Sequence, residues 1–338
     1  MRIRSRVLAT ALLALAAAGA AAREGPAYGP RLEGFDYPHP VRIHTFESQR
    51  QALEMAYMDV PPAAGRGNGR TAVLLHGKNF CAATWERTIA ALAHAGYRVI
   101  APDQVGFCKS GKPQGYQYSL AGLAANTRAL LRSLGVERSV VVGHSMGGML
   151  AIRYALMYPE AVEHLALVGP IGLEDWRAEG VPYQSIEQWY AGELRTTYDG
   201  IRRYQMEVYY AGAWEPEFER WARMQAGMYL GPGREQVAWS QALTYDMVYQ
   251  QPVVYELPQL AVPTTLFIGL HDRTAIGKAA APPAVRERLG DYRALGRRAA
   301  QAIPGARLVE YADLGHSPQV QDPDRFHADL LRALSVSR

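Results

Sequence analysis

Three residues, far apart in the chain, have the types that nucleophilic chemistry needs: Ser145 in Gly143-His144-Ser145-Met146-Gly147, Asp272 in "LHDRTAIG", and His316 in "LGHSPQVQDPDRF". A serine hydroxyl is a weak nucleophile at neutral pH. It becomes effective when an imidazole takes its proton and an acid fixes the tautomer and orientation of that imidazole. The chain order serine, acid, histidine fills all three roles, provided the surrounding segments bring them together.

Those segments can be read from pattern. Before Ser145, "VVV" (Val140 to Val142) is a β-branched run, and after it "MGGMLAIRYALMYP" has the character of a helix, so G-x-S-x-G sits at a strand-to-helix turn. Glycine two places either side lets strand and helix pack closely around a strained serine, and the free N–H groups of the helix start favour developing negative charge. Asp272 follows the strand-like "TTLFIG" and His316 follows "ARLVEYADLG". All three therefore fall on one edge of a sheet.

"TAVLLHG", "YRVIAPD" and "HLALVGP" supply further strands. Between them lie the helical "TWERTIAALAHAG" from Thr84, stopped by Gly96, and "SLAGLAANTRALLRSLG", with Ser119 as cap and Gly135 as terminator; "RFHADLLRAL" closes the chain. Near-continuous apolar strands alternating with helices predict an α/β fold, a mostly parallel sheet flanked by helices. Residues 57–173 and 262–338 make this core. Residues 23–56 read as a Pro/Gly-rich arm leading into the first strands. From 174 to 261 no strand is expected, only amphipathic helical pieces such as "PEFERWARMQAGMYL". Five of the six tryptophans and half of the twenty tyrosines fall there, which suits a helical cap whose aromatic rings wall a pocket.

Residues 1–22 carry three arginines, an apolar run from Val7 to Ala18 and then small residues. This is the order of a secretory signal peptide, too short for a comfortable membrane span. Its removal lowers the formal net charge from +4 to +1, so the basicity belongs mostly to targeting, and no basic stripe remains for nucleic acid. A periplasmic or secreted location follows, with no stable membrane span after cleavage. Cys81 and Cys108 lie in loops after strands at the Ser145 edge, where export would let a disulfide persist; a bridge and two buried thiols both remain open. Neither cysteine has metal-ligand spacing.

"LLHGKNFCAATW", "VIAPDQVGFCKS", "VVGHSMGGMLAIRYA", "LGHSPQVQDPDRF" and Asp272 together resemble the α/β-hydrolase superfamily with a helical lid, from about Tyr57 to Leu334. The resemblance implies a Ser145, His316 and Asp272 triad, an oxyanion hole made by the backbone N–H groups of Lys78 and Met146, and no cofactor or metal. Asn79, Phe80 and His144 are pocket candidates, His144 being expected chiefly to pack; His76 and Asp103 are expected to hold their loops. Serine at 145 argues against the haloalkane dehalogenase and epoxide hydrolase branches, which use aspartate there, and Met146 in place of tryptophan against proline iminopeptidases. Some members of the superfamily carry the acid after an earlier strand, a position taken here by Glu174 and Asp175. The strand-then-loop form around Asp272 favours the later site.

The expected function is an exported serine hydrolase acting on a carboxylic ester of modest size with an apolar portion. Amide, lactone or carbon–carbon cleavage and cofactor-free perhydrolysis would use the same triad. A ligand-binding protein without catalysis is the alternative from another class. The expected partner is a small acyl substrate.

Overall fold

The computed structural model describes residues 25–335; the segment read as a signal peptide lies outside them. Eight strands form one sheet: β1 (Val41–Ser48), β2 (Gln51–Val60), β3 (Thr71–Leu75), β4 (Arg98–Pro102), β5 (Ser139–His144), β6 (Val162–Val168), β7 (Thr264–Gly269) and β8 (Arg307–Tyr311), in the order β1-β2-β4-β3-β5-β6-β7-β8. The β1/β2 and β2/β4 pairs are antiparallel and the rest are parallel. β2 runs through residues 56 and 57, so the first hairpin is continuous with the core sheet and the boundary expected there is not a structural one.

Every residue of β5 is buried, as the centre of a parallel sheet covered on both faces requires. Its side chains alternate between two apolar clusters: Val141 packs with Leu123, Leu130 and Leu150, whereas Val140 and Val142 pack with Trp85, Ile89 and Phe326. The helices behind these contacts are α1 (Glu86–His94), α2 (Leu120–Ser133), α3 (Met146–Met157) and, from the C-terminal end, α11 (Pro323–Ser335). Ser119 caps α2 by accepting from the Gly122 N–H at 2.9 Å.

Between β6 and β7 the chain forms α4 (Ile186–Glu193), α5 (Tyr198–Tyr204), a π-helical turn (Gln205–Tyr209), α6 (Pro216–Leu230) and α7 (Arg234–Gln250), with no strand. The arm before β1 crosses this helical segment: the Tyr28 N–H donates to the Gly227 carbonyl on α6 at 2.8 Å, and the Tyr37 hydroxyl donates to Asp103 at 2.6 Å. Helical segment and sheet are thus tied by one strap. After β7 come α8 (Pro283–Arg288) and α9 (Tyr292–Ala302), then β8 and α10 (Pro318–Gln321) before α11. Among the described residues no helix is long and apolar enough to cross a membrane.

Candidate active site

Ser145 lies between the last residue of β5 and the first of α3, with φ 56° and ψ −120°. Positive φ is costly for a residue with a Cβ and marks stored strain. The flanking glycines explain how the turn closes. A Cβ on Gly143 would stand 2.2 Å from the Gly147 carbonyl oxygen, and one on Gly147 would stand 2.1 Å from that of Leu75. No other residue type fits either place.

His316 follows β8 and Asp272 follows β7, and the sheet edge brings them together. The His316 Nδ1–H donates to Asp272 Oδ2 at 2.6 Å, while Asp272 Oδ1 accepts from the Thr274 N–H at 2.8 Å. Both residues are buried. The remaining ring nitrogen, His316 Nε2, is buried with no hydrogen-bond partner among the described residues. It is the atom through which an imidazole would take a serine proton; no hydrogen bond joins it to Ser145 in this closed arrangement. Glu174 and Asp175 are engaged elsewhere. Glu174 accepts from the Trp176 indole and the Gly290 N–H, and Asp175 pairs with Arg177 and the Tyr255 hydroxyl.

Gly77 lets the loop after β3 approach the nucleophile: a Cβ there would lie 3.0 Å from that of Ser145. Lys78 comes next. Met146 is the first residue of α3, so its N–H has no partner inside the helix, and neither it nor the Lys78 N–H is bonded to an acceptor among the described residues. These two N–H groups belong to the residues that follow Ser145 and Gly77. A disulfide joins Cys81 to Cys108, Cα atoms 5.9 Å apart, and staples this loop to the one after β4. Asp103 accepts from the N–H groups of Ala82 and Lys109, and His76 accepts from the Gln104 N–H, so both hold these loops.

His144 packs, as its place beside the nucleophile suggests: its buried ring meets Trp85 edge-on. Its Nε2–H donates to the His316 carbonyl at 3.0 Å, and burial holds the ring well below the usual histidine range, hence neutral. It supports the base from behind.

The α/β-hydrolase fold family model matches residues 72–323, a stretch that includes all three candidate residues. The chain belongs to the α/β-hydrolase family. A probable hydrolytic enzyme from Pseudomonas aeruginosa PAO1 is 63% identical to this hydrolase, with a TM-score of 0.91 over 92% of this chain and 99% of that one. The 2-hydroxy-6-oxo-6-phenylhexa-2,4-dienoate hydrolase of Comamonas testosteroni is 34% identical over 141 residues, 40% of this chain and 49% of that protein. An AB hydrolase superfamily protein of Bacillus subtilis is 40% identical over 107 residues, 31% of this chain and 37% of that protein. The chain matches less than half the length of these two curated relatives.

Over the candidate triad, the helical segment between β6 and β7 of this hydrolase supplies contacts that sequence reading missed. The Tyr209 ring lies 4.9 Å from the His316 ring, its hydroxyl accepts from Asn79 Nδ2 at 2.8 Å, and its carbonyl accepts from the Ser317 N–H at 3.3 Å. Phe80 stacks on His144 and meets Tyr209 edge-on, each ring 5.5 Å away. The Tyr209 ring covers the buried His316, and Phe80 packs against Tyr209. Two cavities border the helical segment between β6 and β7. One of about 290 Å³ is bordered by Asn79, Glu193 and Gln225, and one of about 720 Å³ by Trp189, Arg273 and Lys278; Tyr204 and Tyr245 border both.

Proposed function

We propose that this α/β-hydrolase is an exported serine hydrolase that cleaves a carboxylic ester of modest size with an apolar portion. The observation that carries the reading is the His316 imidazole, held by Asp272 at Nδ1 with Nε2 free, beside a strained Ser145. On lid opening Ser145 Oγ attacks the ester carbonyl while His316 Nε2 takes its proton. The oxyanion settles against the N–H groups of Lys78 and Met146. His316 then protonates the departing alkoxide, leaving an acyl-enzyme; it next deprotonates water, which attacks the acyl carbon and releases the carboxylic acid and Ser145.

The apolar portion is suggested by the Trp and Tyr walls of the cavities. Export rests on the leader of residues 1–22 and gains support from the Cys81–Cys108 bridge, since disulfides persist in oxidising compartments. The test is a series of acyl esters graded by chain length, run on the mature protein and on Ser145→Ala. Turnover of short to medium esters, lost in the variant, supports the reading; undiminished turnover in the variant refutes it.

Carbon–carbon bond hydrolysis is the second reading. It is favoured by the 34% and 36% identity to two Comamonas testosteroni hydrolases of oxo-dienoic acids. A 2-hydroxy-6-oxodienoate cleaved faster than any ester of the series would select it.

A further inference from the structure

The mechanism above uses only the backbone of Lys78. Its side chain is nevertheless buried, with the ammonium under lid helix α7. There Nζ donates to the neutral Gln241 amide oxygen at 2.6 Å and sits 3.5 Å from the centre of the Tyr245 ring. An ammonium has three donors, and this one has a single hydrogen-bond acceptor and no carboxylate at ion-pair distance among the described residues. Glu193 acts on it from farther away and is itself bonded by the Tyr229 hydroxyl. Burial pushes the ammonium down to about 8. A buried cation without a close counter-ion is unfavourable to the fold. Set against a ring that borders both cavities, it reads as a group kept for a ligand.

The larger cavity has the same sign. Its lining includes Arg273, Lys278 and Arg286 and no Asp or Glu, and its aromatic wall contains Tyr245, the ring beneath the Lys78 ammonium. Arg273 is paired with Asp291, but Lys278 and Arg286 have no ion pair among the described residues, and two such cations with an aromatic surface suit an entering anion with an apolar body. A single buried monocation balances a monoanion; a phosphate dianion would leave excess charge buried.

We propose that the Lys78 ammonium binds a carboxylate on the substrate, making this a hydrolase of esters that also carry a free carboxylate. The ester chemistry rests on the function proposed above; recognition of the anion rests on the Lys78 side chain. The carboxylate can belong to the acyl half or to the leaving alcohol, and the two sources are separable by experiment.

Binding without chemistry comes first. Benzoate and its neutral analogue benzamide are titrated calorimetrically into wild type and Lys78→Met at pH 7. Benzoate is expected to bind at least about ten-fold more tightly than benzamide, as a charge-assisted bond of roughly 1.4 kcal/mol requires, with the preference gone in the variant. Absence of benzoate binding at millimolar concentration, no preference in wild type, or a preference retained in Lys78→Met overturns the proposal. If Lys78→Met does not fold, Lys78→Gln carries the same comparison.

Turnover then locates the carboxylate. Monomethyl adipate against dimethyl adipate places it on the acyl side, and 4-acetoxybenzoate against its methyl ester places it on the leaving side. A preference of about ten-fold in kcat/KM within one pair, carried by KM and lost in Lys78→Met, is the expected result. Equal kcat/KM within both pairs overturns the proposal. No turnover of any of the four esters, with no labelling by a fluorophosphonate, counts instead against the ester reaction, and the calorimetric result then decides the role of Lys78.

Discussion

His144 donates from Nε2 to the backbone carbonyl of His316 across 3.0 Å, so the residue preceding the nucleophile holds the main chain of the base. Asp272 holds the ring of that base and His144 its backbone. His144→Phe keeps an aromatic ring beside Phe80 but leaves the carbonyl without its donor. Loss of such a bond, about 1.5 kcal/mol, predicts kcat lower by about ten-fold with KM little changed. The pH profile of kcat should also move, because the base is repositioned. An unchanged kcat and profile would reduce His144 to packing.

The acid is assigned by geometry, and its replacement is predicted to be severe. Asp272→Asn preserves shape but favours the wrong imidazole tautomer, which can cost on the order of 10⁴ in kcat. Asp175→Asn weakens pairings with Arg177 and the Tyr255 hydroxyl, neither of them to a triad residue, and should leave kcat within a few-fold. Steady-state kinetics of the two variants, giving the reverse order, would reassign the acid.

Legibility followed local physics. Ser145, Asp272 and His316 each sit just past a strand, and their convergence follows from parallel strands ending at one sheet edge. The placement of His144 was also written in the pattern: period-two alternation puts Val140, Val142 and His144 on one face, the one that packs against Trp85. The β1/β2 hairpin lacked its usual signal, since the turn residues Gln49 and Arg50 both adopt positive φ, 51° and 61°, where glycine or asparagine is the common choice. Helix α9 had a readable stripe in Tyr292, Leu295, Gly296 and Ala299. Tyr209 over His316 and Lys78 under α7 had no local signal, because both contacts exist only once the lid is docked.

The disulfide closes a loop between residues 27 apart in sequence. In the chain-entropy account such a bridge contributes roughly 3.5 kcal/mol. Cys81→Ser with Cys108→Ser should therefore lower the unfolding midpoint in urea by a corresponding amount. It should also slow turnover, because the bridge braces the loop that carries the Lys78 N–H. A double variant with unchanged midpoint would show that Asp103 and the strap at Tyr37 suffice.

Lys112 gives a pH signature. Its ammonium is buried, donates to the Cys108 carbonyl at 2.7 Å, and is pushed down to about 7 by burial. The unfolded chain keeps this proton to about pH 10.4 while the folded chain releases it near 7, so the unfolded state binds more protons between those values. Stability should then rise with pH from about 7 towards 9.5, and Lys112→Met should flatten the rise. Urea midpoints across that range check it, with an identical slope in the variant speaking against the shift.

The central claim is that Ser145 is the covalent centre, and mass spectrometry of the mature protein after reaction with a fluorophosphonate tests it most directly. One adduct per chain on the peptide containing Ser145, with turnover lost in proportion to labelling and no adduct in Ser145→Ala, is the predicted result. Labelling on any other residue, or full turnover in a chain fully labelled at Ser145, would contradict it.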